Sequence, residues 1–305
     1  RDYLPSPTFY KKLPHANIIG ARGCPFHCIF CHTDNRVRMR SAASIADEIE
    51  MLHREQGIRD IAFWDDTFTL SEERALEFCD EMVRRRLKVC WAVNARVDRI
   101  NEALLGRMKE AGCWRILYGI ESGVQKNLDR LRKGITLEQV RNAVALTTKA
   151  RIEAYGTFMF GIPGETYEEG LQTIDFACSL GLDYAVFVNL TPLPGTEVYE
   201  DLVSGRLKPA KFTENRFNFK NVSFVPEGMT EEQIRHLIQL GHRRFYVNPR
   251  MIVRKIAGIR SLYDITKYVK GFLLLATASY TPENHFDDLR GRCTAIGEGG
   301  GAPRR

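Results

Sequence analysis

The chain has 305 residues, of which 44% are hydrophobic, and its net charge is +6, with basic and acidic residues interleaved along most of its length. This length can bury a large core, and the interleaved charges indicate a solvated surface and disfavour a nucleic-acid partner. No apolar run has the length of a membrane span, and free cysteines without a secretory signal indicate a reducing cytoplasm.

The first predicted strand, Ala16–Ala21, leads into a short segment that contains three cysteines, Cys24, Cys28 and Cys31. Three thiolates in one short loop can hold a metal centre. A four-iron cluster needs four protein ligands to be saturated, so three thiolates leave one iron open to a small molecule. The spacing therefore favours a metal centre that performs chemistry at an exposed iron.

Other interpretations of these cysteines remain open from spacing alone. His27 or His32 can supply the fourth ligand of a zinc site. The cysteines also fall on one face of a helix, although Gly23 and Pro25 at the start of the segment argue against a long helix. A disulfide is disfavoured, because no secretory signal precedes the segment.

Beyond this segment, short apolar runs alternate with longer amphipathic runs as far as about Tyr199. The alternation predicts a parallel sheet with right-handed helical crossovers. The predicted strands are Ala16–Ala21, Asp60–Trp64, Lys88–Ala95, Trp114–Ile120, Glu153–Phe160 and Tyr184–Leu190. The helical patterns are Ser44–Gln56 with Ser44 as its N-cap, Ser71–Arg86, Asn101–Ala111, Thr136–Ala150 and Thr166–Leu180.

Polar or glycine-rich residues recur where these strands end, which favours a partial barrel over a doubly wound open sheet. They are Asp65-Asp66, Asn94 with Arg96, residues 121–123, residues 161–164 and Asn189. In a barrel all these strand ends meet at one mouth, where barrel enzymes keep their sites, and the cysteine segment is expected at the same mouth. The same residue types are also common in ordinary turns.

The alternation stops after about Leu202. Residues 208–225 predict a loop or short hairpin, and Met229–Ile265 predicts helices with Thr230 as N-cap and Gln233 at the capping-box position. Residues 291–305 predict a disordered tail. The expected organisation is a lead-in over residues 1–14, a barrel over 15–202, a mainly helical region over 203–290, and this tail. The non-methionine start predicts that the chain is a fragment.

The cysteine segment resembles the cluster loop of the radical S-adenosylmethionine enzymes, C-x3-C-x-aromatic-C, here Cys24, Cys28, Phe30 and Cys31. The resemblance covers roughly residues 14–200. It implies an α/β fold, a partial (βα)6 TIM-like barrel followed by a helical C-terminal region, and a [4Fe–4S] cluster on the three cysteines. It also implies that the open iron binds S-adenosylmethionine, and that an electron from a reductant such as flavodoxin or ferredoxin cleaves it to methionine and a 5′-deoxyadenosyl radical.

The resemblance further implies cofactor contacts at the strand ends. Asp65 or Asp66 stands where many members carry a Gly-Gly-Glu motif for the amino group of the cofactor, and Phe30 corresponds to an aromatic near the adenine, although an ordinary core aromatic is equally expected. The other candidates are Glu121 and Ser122 for the ribose hydroxyls, Arg132 and Lys133 for the carboxylate, Gly161, Ile162 and Gly164 for the adenine, and Asn189 to complete the pocket. For Lys133 a solvated charge pair is the alternative. No catalytic acid, base or radical relay is assigned.

Residues 21–25, 65–68 and 161–166 most resemble the branch with an N-terminal cobalamin-binding domain, which includes methyltransferases and an anaerobic cyclase of bacteriochlorophyll biosynthesis. Cobalamin is then a further cofactor. A methylthiotransferase is the alternative within the family, but its usual second cysteine set and C-terminal β-domain are not evident in this sequence.

Two hypotheses come from other classes. One is a zinc- or cluster-stabilised nucleic-acid-binding module, and the other is an ordinary barrel enzyme that uses Asp65, Asp66 and Glu121. The substrate, a small molecule or a peptide, is not identified by the sequence. The residues that follow the third strand are candidates to face it, as are two barrel tyrosines if they point inward: Asn94, Arg96, Asp98, Tyr118 and Tyr155.

Overall fold

Six parallel strands form the central sheet of the computed structural model, which describes residues 10–32, 34–213 and 222–249. All of them belong to the first of two units, which divide between Ala257 and Gly258. The strands are β1 (His15–Ile18), β2 (Ala21–Arg22), β3 (Arg38–Met39), β4 (Asp60–Phe63), β5 (Cys90–Ala95), β6 (Cys113–Glu121), β7 (Glu153–Phe160), β8 (Tyr184–Asn189), β9 (Pro209–Phe212) and β10 (Phe224–Pro226). The helices are α1 (Ala42–Gln56), α2 (Glu72–Arg84), α3 (Glu102–Glu110), α4 (Gln125–Arg130), α5 (Leu137–Lys149), α6 (Tyr167–Ser179), α7 (Glu197–Val203) and α8 (Glu231–Tyr246).

The strand order of the sheet confirms the partial barrel. It runs β1-β4-β5-β6-β7-β8, and each neighbouring pair is parallel. In a doubly wound sheet the order of the strands reverses at a switch point near the middle of the sheet, whereas here the order never reverses. Within the described chain β1 and β8 are the two edges of the sheet, so the barrel is open on one side.

Alternate residues of each strand face opposite sides of the sheet, as strand geometry requires. One set is fully buried beneath the helices; for example, Tyr118 donates to or accepts from Thr147 of α5 at 2.7 Å. The other set, which includes Tyr155, is only partly buried and lines the concave face. The direction that the sequence left open is therefore towards the concave face for Tyr155 and towards the helices for Tyr118.

Side-chain caps start the helices largely where the sequence predicts. The predicted capping box at the start of α8 is present, with Thr230 and Gln233 bonded to each other's backbone N–H groups. The prediction is wrong for α1, which begins two residues before Ser44 and is capped by Ser41, whose side chain accepts from the Ser44 N–H. Helices α4 and α7 were not predicted, because six and seven residues are too short to give a periodic pattern.

The chain after α7 forms a hairpin and a helix. Strands β9 and β10 pair in antiparallel fashion, which agrees with the hairpin, one of the two forms predicted for residues 208–225. Helix α8 packs against α6 and β8, and the Tyr246 hydroxyl donates to the Ala185 carbonyl at 2.9 Å. The end of the predicted helical region and the tail over residues 291–305 lie outside the described residues, as does most of the lead-in. None of the described helices is long and apolar enough to cross a membrane.

Candidate functional site

The three cysteines lie on a loop that follows the first strand, at the carboxyl edge of the sheet. Strand β1 ends at Ile18, three residues earlier than predicted, and β2 and β3 pair at the base of the loop. Inside this base the Cys24 N–H donates to the Asp34 carbonyl at 3.0 Å. Gly23 permits the close approach, because it has φ +90 and a Cβ there would overlap the carbonyl oxygens of Asp34 and Arg36.

The second half of the loop is held by segments that are distant in sequence. The Ile29 N–H donates to the Leu131 carbonyl at the end of α4 (3.2 Å), and the Ile29 carbonyl accepts from the Val198 N–H in α7 (3.1 Å). His32 Nδ1 donates to the Gly195 carbonyl at 2.7 Å, so one of its two ring nitrogens is used within the protein. The loop is thus fastened at both ends to the framework of the barrel.

The thiols influence one another and sit beside two cations. Burial raises the pKa of Cys28, and the positive charges of Lys133 and Arg96 oppose this rise. Desolvation raises the pKa of Cys31 to about 11, with further contributions from Cys28, Cys24 and Asp66. Among the described residues no three Cys, His, Asp or Glu side chains converge as ligands of a single metal ion. A multi-iron cluster does not require such convergence, because each thiolate binds its own iron.

A buried ion pair lies at the end of β6 beside this loop. Lys133 Nζ is 2.8 Å from Glu121 Oε1, and the two residues are only 8% and 6% exposed. The same ammonium group lies 5.6 Å from the centre of the Phe30 ring. The alternative of a solvated charge for Lys133 is therefore wrong. Its neighbour Arg132 is exposed and pairs with Glu197 at 2.6 Å, on the surface.

The two aspartates after β4 have different surroundings. Asp65 is fully buried; its Oδ1 accepts from the Gly20 N–H at 2.6 Å and its Oδ2 pairs with Arg74 at 3.2 Å. It therefore fixes the turn that follows β1. Asp66 is exposed, and its charge acts on Cys31. Of the two aspartates, Asp66 is therefore the one whose carboxylate is exposed on the side of the cysteines.

The loop after β7 is organised by one buried carboxylate. Glu165, 1% exposed, accepts from the N–H groups of Gly161 (2.6 Å) and Ile162 (3.2 Å), and burial raises its pKa to about 8. Gly161 and Gly164 both have positive φ, as their candidate role in a close backbone approach requires. Ile162 is fully buried and belongs to the small apolar cluster against which Phe30 packs. The structure thus brings Phe30 and Ile162 together.

Asn189 and Ser122 differ in whether a side-chain atom remains without a hydrogen-bond partner. Asn189 is 2% exposed, and its Nδ2 donates to the carbonyls of Phe160 and Phe224, while its buried Oδ1 has no partner among the described residues. Ser122 is fully buried and bonded to Thr173 of α6 at 3.1 Å. Its side chain is therefore directed to the helix layer, and the structure does not bring it to the group around the cysteines.

Arg96 has a role that the sequence did not indicate. Its guanidinium lies 3.6 Å from the centre of the Phe26 ring in the cysteine loop, and it donates to the Lys133 carbonyl at 2.8 Å and to Asp98 at 2.9 Å. Arg96 is only 6% exposed, so it braces the loop against the segment that carries Lys133 rather than pointing to a substrate. No local sequence pattern signals this contact, because the two partners come from distant segments.

Comparison with known proteins places this geometry in context. The family model described as "Radical SAM superfamily" matches residues 18–177. An uncharacterized methyltransferase of Pyrococcus horikoshii is 35% identical over an alignment of 287 residues, which covers 89% of this chain and 62% of that protein. The anaerobic magnesium-protoporphyrin IX monomethyl ester cyclase of Rubrivivax gelatinosus is 30% identical over 233 residues, which are 75% of this chain and 41% of that protein.

Among solved structures, the radical S-adenosylmethionine methyltransferase TsrM from Kitasatospora setae, with cobalamin and a [4Fe-4S] cluster bound, matches with a TM-score of 0.59. Its sequence identity is 23%, over 72% of this chain and 46% of that one, and this likeness shows a shared fold. The chain therefore spans less than two thirds of the length of each of these three proteins.

Proposed function

This chain belongs to the radical S-adenosylmethionine superfamily and is an enzyme of that class, and we propose that Cys24, Cys28 and Cys31 hold its [4Fe–4S] cluster. The observation that carries the proposal is the placement of the three thiols on one loop that is hydrogen-bonded at both ends, with the Lys133 and Arg96 cations against its Phe30 and Phe26 rings. Thiolates are the ligands of such clusters, and neighbouring cations stabilise the negative charge that ligand thiolates bring. The donor set therefore fits the group that the family uses.

When bound, the cluster supplies one electron, received from an external reductant of the flavodoxin or ferredoxin type, for reductive cleavage of S-adenosylmethionine. The residues of this chain bind and orient that cofactor. Lys133 pairs with its carboxylate, and Glu121 holds the Lys133 ammonium group in place. Asp66 accepts hydrogen bonds from the amino group of S-adenosylmethionine.

The adenosine end is held by the neighbouring strand ends. Phe30 and Ile162 provide the apolar contact for the adenine, and the glycine backbone of residues 161–164 allows its close approach. The unpartnered Oδ1 of Asn189 is available to accept one hydrogen bond from the ligand. A buried acceptor without a partner is costly, so a bound donor there would also stabilise the site.

The reaction we propose is a cobalamin-dependent methyl transfer or a related cyclisation. It rests on the resemblance of residues 21–25, 65–68 and 161–166 to that branch, and on the two relatives, one named as a methyltransferase and one as a cyclase. A methylthiolated product, together with iron beyond a single cluster, would instead favour the methylthiotransferase alternative.

Anaerobic reconstitution tests the proposal. The brown protein should bind about four irons and four sulfides per chain, and S-adenosylmethionine should change its electron paramagnetic resonance signal. A strong reductant should then release 5′-deoxyadenosine, or drive methyl transfer if cobalamin is supplied. Cys31→Ala should lose the cluster, whereas the matched Cys178→Ala on α6 should keep it. A loaded cluster that leaves S-adenosylmethionine unbound would contradict the proposal.

A further inference from the structure

The concave face of the sheet carries a half-open cavity of about 140 Å³. Its upper wall includes Trp64, two residues before Asp66, and Asn94, two residues before Arg96. Leu117 of β6 lies four residues before Glu121 on the same strand. The cavity is lined by Ala62, Phe63, Trp64, Ala92, Val93, Asn94, Arg115, Leu117 and Tyr155. It therefore sits one or two pleats beneath the proposed cofactor site.

Two small residues create this space. Ala62 of β4 and Ala92 of β5 are partners in the sheet register, and both belong to the lining. A larger side chain at either position would project into the cavity, because adjacent registered residues on one face point the same way. Trp64 remains 63% exposed at the edge of this space, which is unusual for the largest apolar side chain. The sheet is therefore shaped to leave room on its concave face.

The lining offers little net charge. Arg115 is its one charged residue, and the Arg115 guanidinium pairs with Glu153 at 2.7 Å and lies 4.2 Å from the centre of the Trp114 ring. Asn94 Nδ2 donates to the Asp65 carbonyl at 3.2 Å, and its Oδ1 has no hydrogen-bond partner in the part of the chain that the structure describes. The cavity thus combines largely apolar walls with a paired cation, the Asn94 amide oxygen and the hydroxyl-bearing side chain of Tyr155.

We propose that this cavity seats the reacting part of the substrate, and that this part is an uncharged, apolar group about the size of a benzene ring with one N–H or O–H for Asn94. The inference rests on the proposed function and adds the chemical class of its substrate. Apolar cavities of about 150 Å³ hold a benzene molecule. A charged group would lose its hydration without gaining a free partner of opposite charge, since Arg115 is already paired.

Fluorine NMR on the full chain without its cluster tests the proposal, because the sheet itself forms the cavity. We expect fluorobenzene to bind with a Kd in the millimolar range, 4-fluorophenol to bind several-fold more tightly, and 4-fluorobenzoate to bind weakest. Benzoate binding as tight as phenol binding would overturn the uncharged class. An absence of saturable fluorobenzene binding would overturn the cavity as a ligand site.

Variants locate the binding. Ala62→Leu and Ala92→Leu should each weaken fluorobenzene binding at least tenfold, whereas Ala210→Leu makes the same change at an exposed position of β9 and should leave it unchanged. Asn94→Ala should remove the preference for 4-fluorophenol over fluorobenzene. Unchanged binding in both filled variants, with unchanged circular dichroism, would contradict the proposal. A failure of the proposed function would show separately, as reconstituted protein that does not bind S-adenosylmethionine.

Discussion

The neighbouring residues Arg132 and Lys133 differ in burial, because their side chains leave the backbone in different directions. Arg132 has φ +50, and its side chain reaches Glu197 at the surface, whereas Lys133 is buried against Glu121. Burying a charged pair is costly in free energy unless the geometry is good and further partners are satisfied. An ammonium group kept beside the cysteine loop under these conditions is well placed for an anionic ligand.

Replacing Lys133 should weaken cofactor binding by the folded protein, and it should also destabilise the fold because Glu121 is then buried without its partner. We expect Lys133→Ala to cost about 2–3 kcal/mol of binding free energy, or roughly a 30- to 150-fold higher Kd for S-adenosylmethionine. Isothermal titration of the reconstituted protein measures this. Arg132→Ala is the matched control and should bind normally. If both variants lost the same binding free energy for S-adenosylmethionine, the loss would not be specific to the buried ammonium group. The pairing of Lys133 with Glu121 would then be only structural.

Arg96 should hold the cysteine loop through its flat guanidinium, which Lys cannot reproduce. A stacked, desolvated cation over an aromatic ring is worth about 1–2 kcal/mol. Arg96→Lys should therefore open the loop about tenfold more often, measured as faster loss of iron to a chelator from the reconstituted protein. Arg99→Lys changes an exposed neighbour 5.7 Å from the Phe26 ring and should lose iron at the parent rate. Identical rates in the two variants would show that the stack does not hold the loop.

At the scale of elements, the loop between β7 and α6 is held by the hydrogen bonds of one buried side chain, Glu165. Glu165 accepts two backbone N–H groups of the loop and contacts Asn127 of α4 at 3.3 Å, and the next residue, Thr166, caps α6. The carboxylate thus joins a strand end, a short helix and the first turn of a longer one. The loop that carries Ile162 depends on this single side chain.

The buried position of Glu165 makes the stability of the fold depend on pH. Burial raises its pKa from 4.5 to about 8, so the folded state binds its proton more tightly than the unfolded state does. Its contribution to stability is therefore full below about pH 4.5 and is lost as the pH rises through about 8. Chemical unfolding from pH 4.5 to 8 should show the parent losing stability relative to Glu165→Gln, which does not titrate. A constant difference between the two proteins would contradict this.

Across the whole molecule, the two ends of the barrel have different tasks. The carboxyl edge carries the cysteine loop, Asp66 and the Glu121–Lys133 pair. The opposite edge is closed by Asp60, which is fully buried and accepts from the Lys11 N–H (2.5 Å) and the Trp114 indole (3.0 Å). Chemistry at one end of the barrel and stability at the other is the usual division in a parallel barrel.

Two aspartates near the ends of β4 test this division. Asp60→Asn should lower the free energy of unfolding by about 3 kcal/mol, because it removes a buried charge that several donors surround. Its folded fraction should still bind S-adenosylmethionine after reconstitution. Asp66→Asn should leave the unfolding free energy nearly unchanged and weaken that binding. Thermal and denaturant unfolding, paired with titration of the cofactor, measure both, and reversed effects would contradict the assignment.

The sequence predicts the fold well, whereas it leaves open where several candidate site side chains point, for physical reasons that differ between residues. The six strands and the larger helices are found because alternating burial and side-chain caps leave local patterns. The choice between Asp65 and Asp66, and the direction of Ser122, depends on which face of a turn each side chain occupies. The Arg96–Phe26 stack and the burial of Lys133 depend on contacts between distant segments, which no local pattern encodes.

The bonds that fasten the cysteine loop also set the order in which the protein matures. His32 is bonded to Gly195, 163 residues further along the chain, and Ile29 to Val198. The ribosome must therefore complete the polypeptide through α7, and that helix must dock, before the loop takes its final form. If the loop holds the proposed cluster, iron and sulfide delivered earlier would meet three unrestrained thiols, and the folded apoprotein would be a better recipient than the nascent chain.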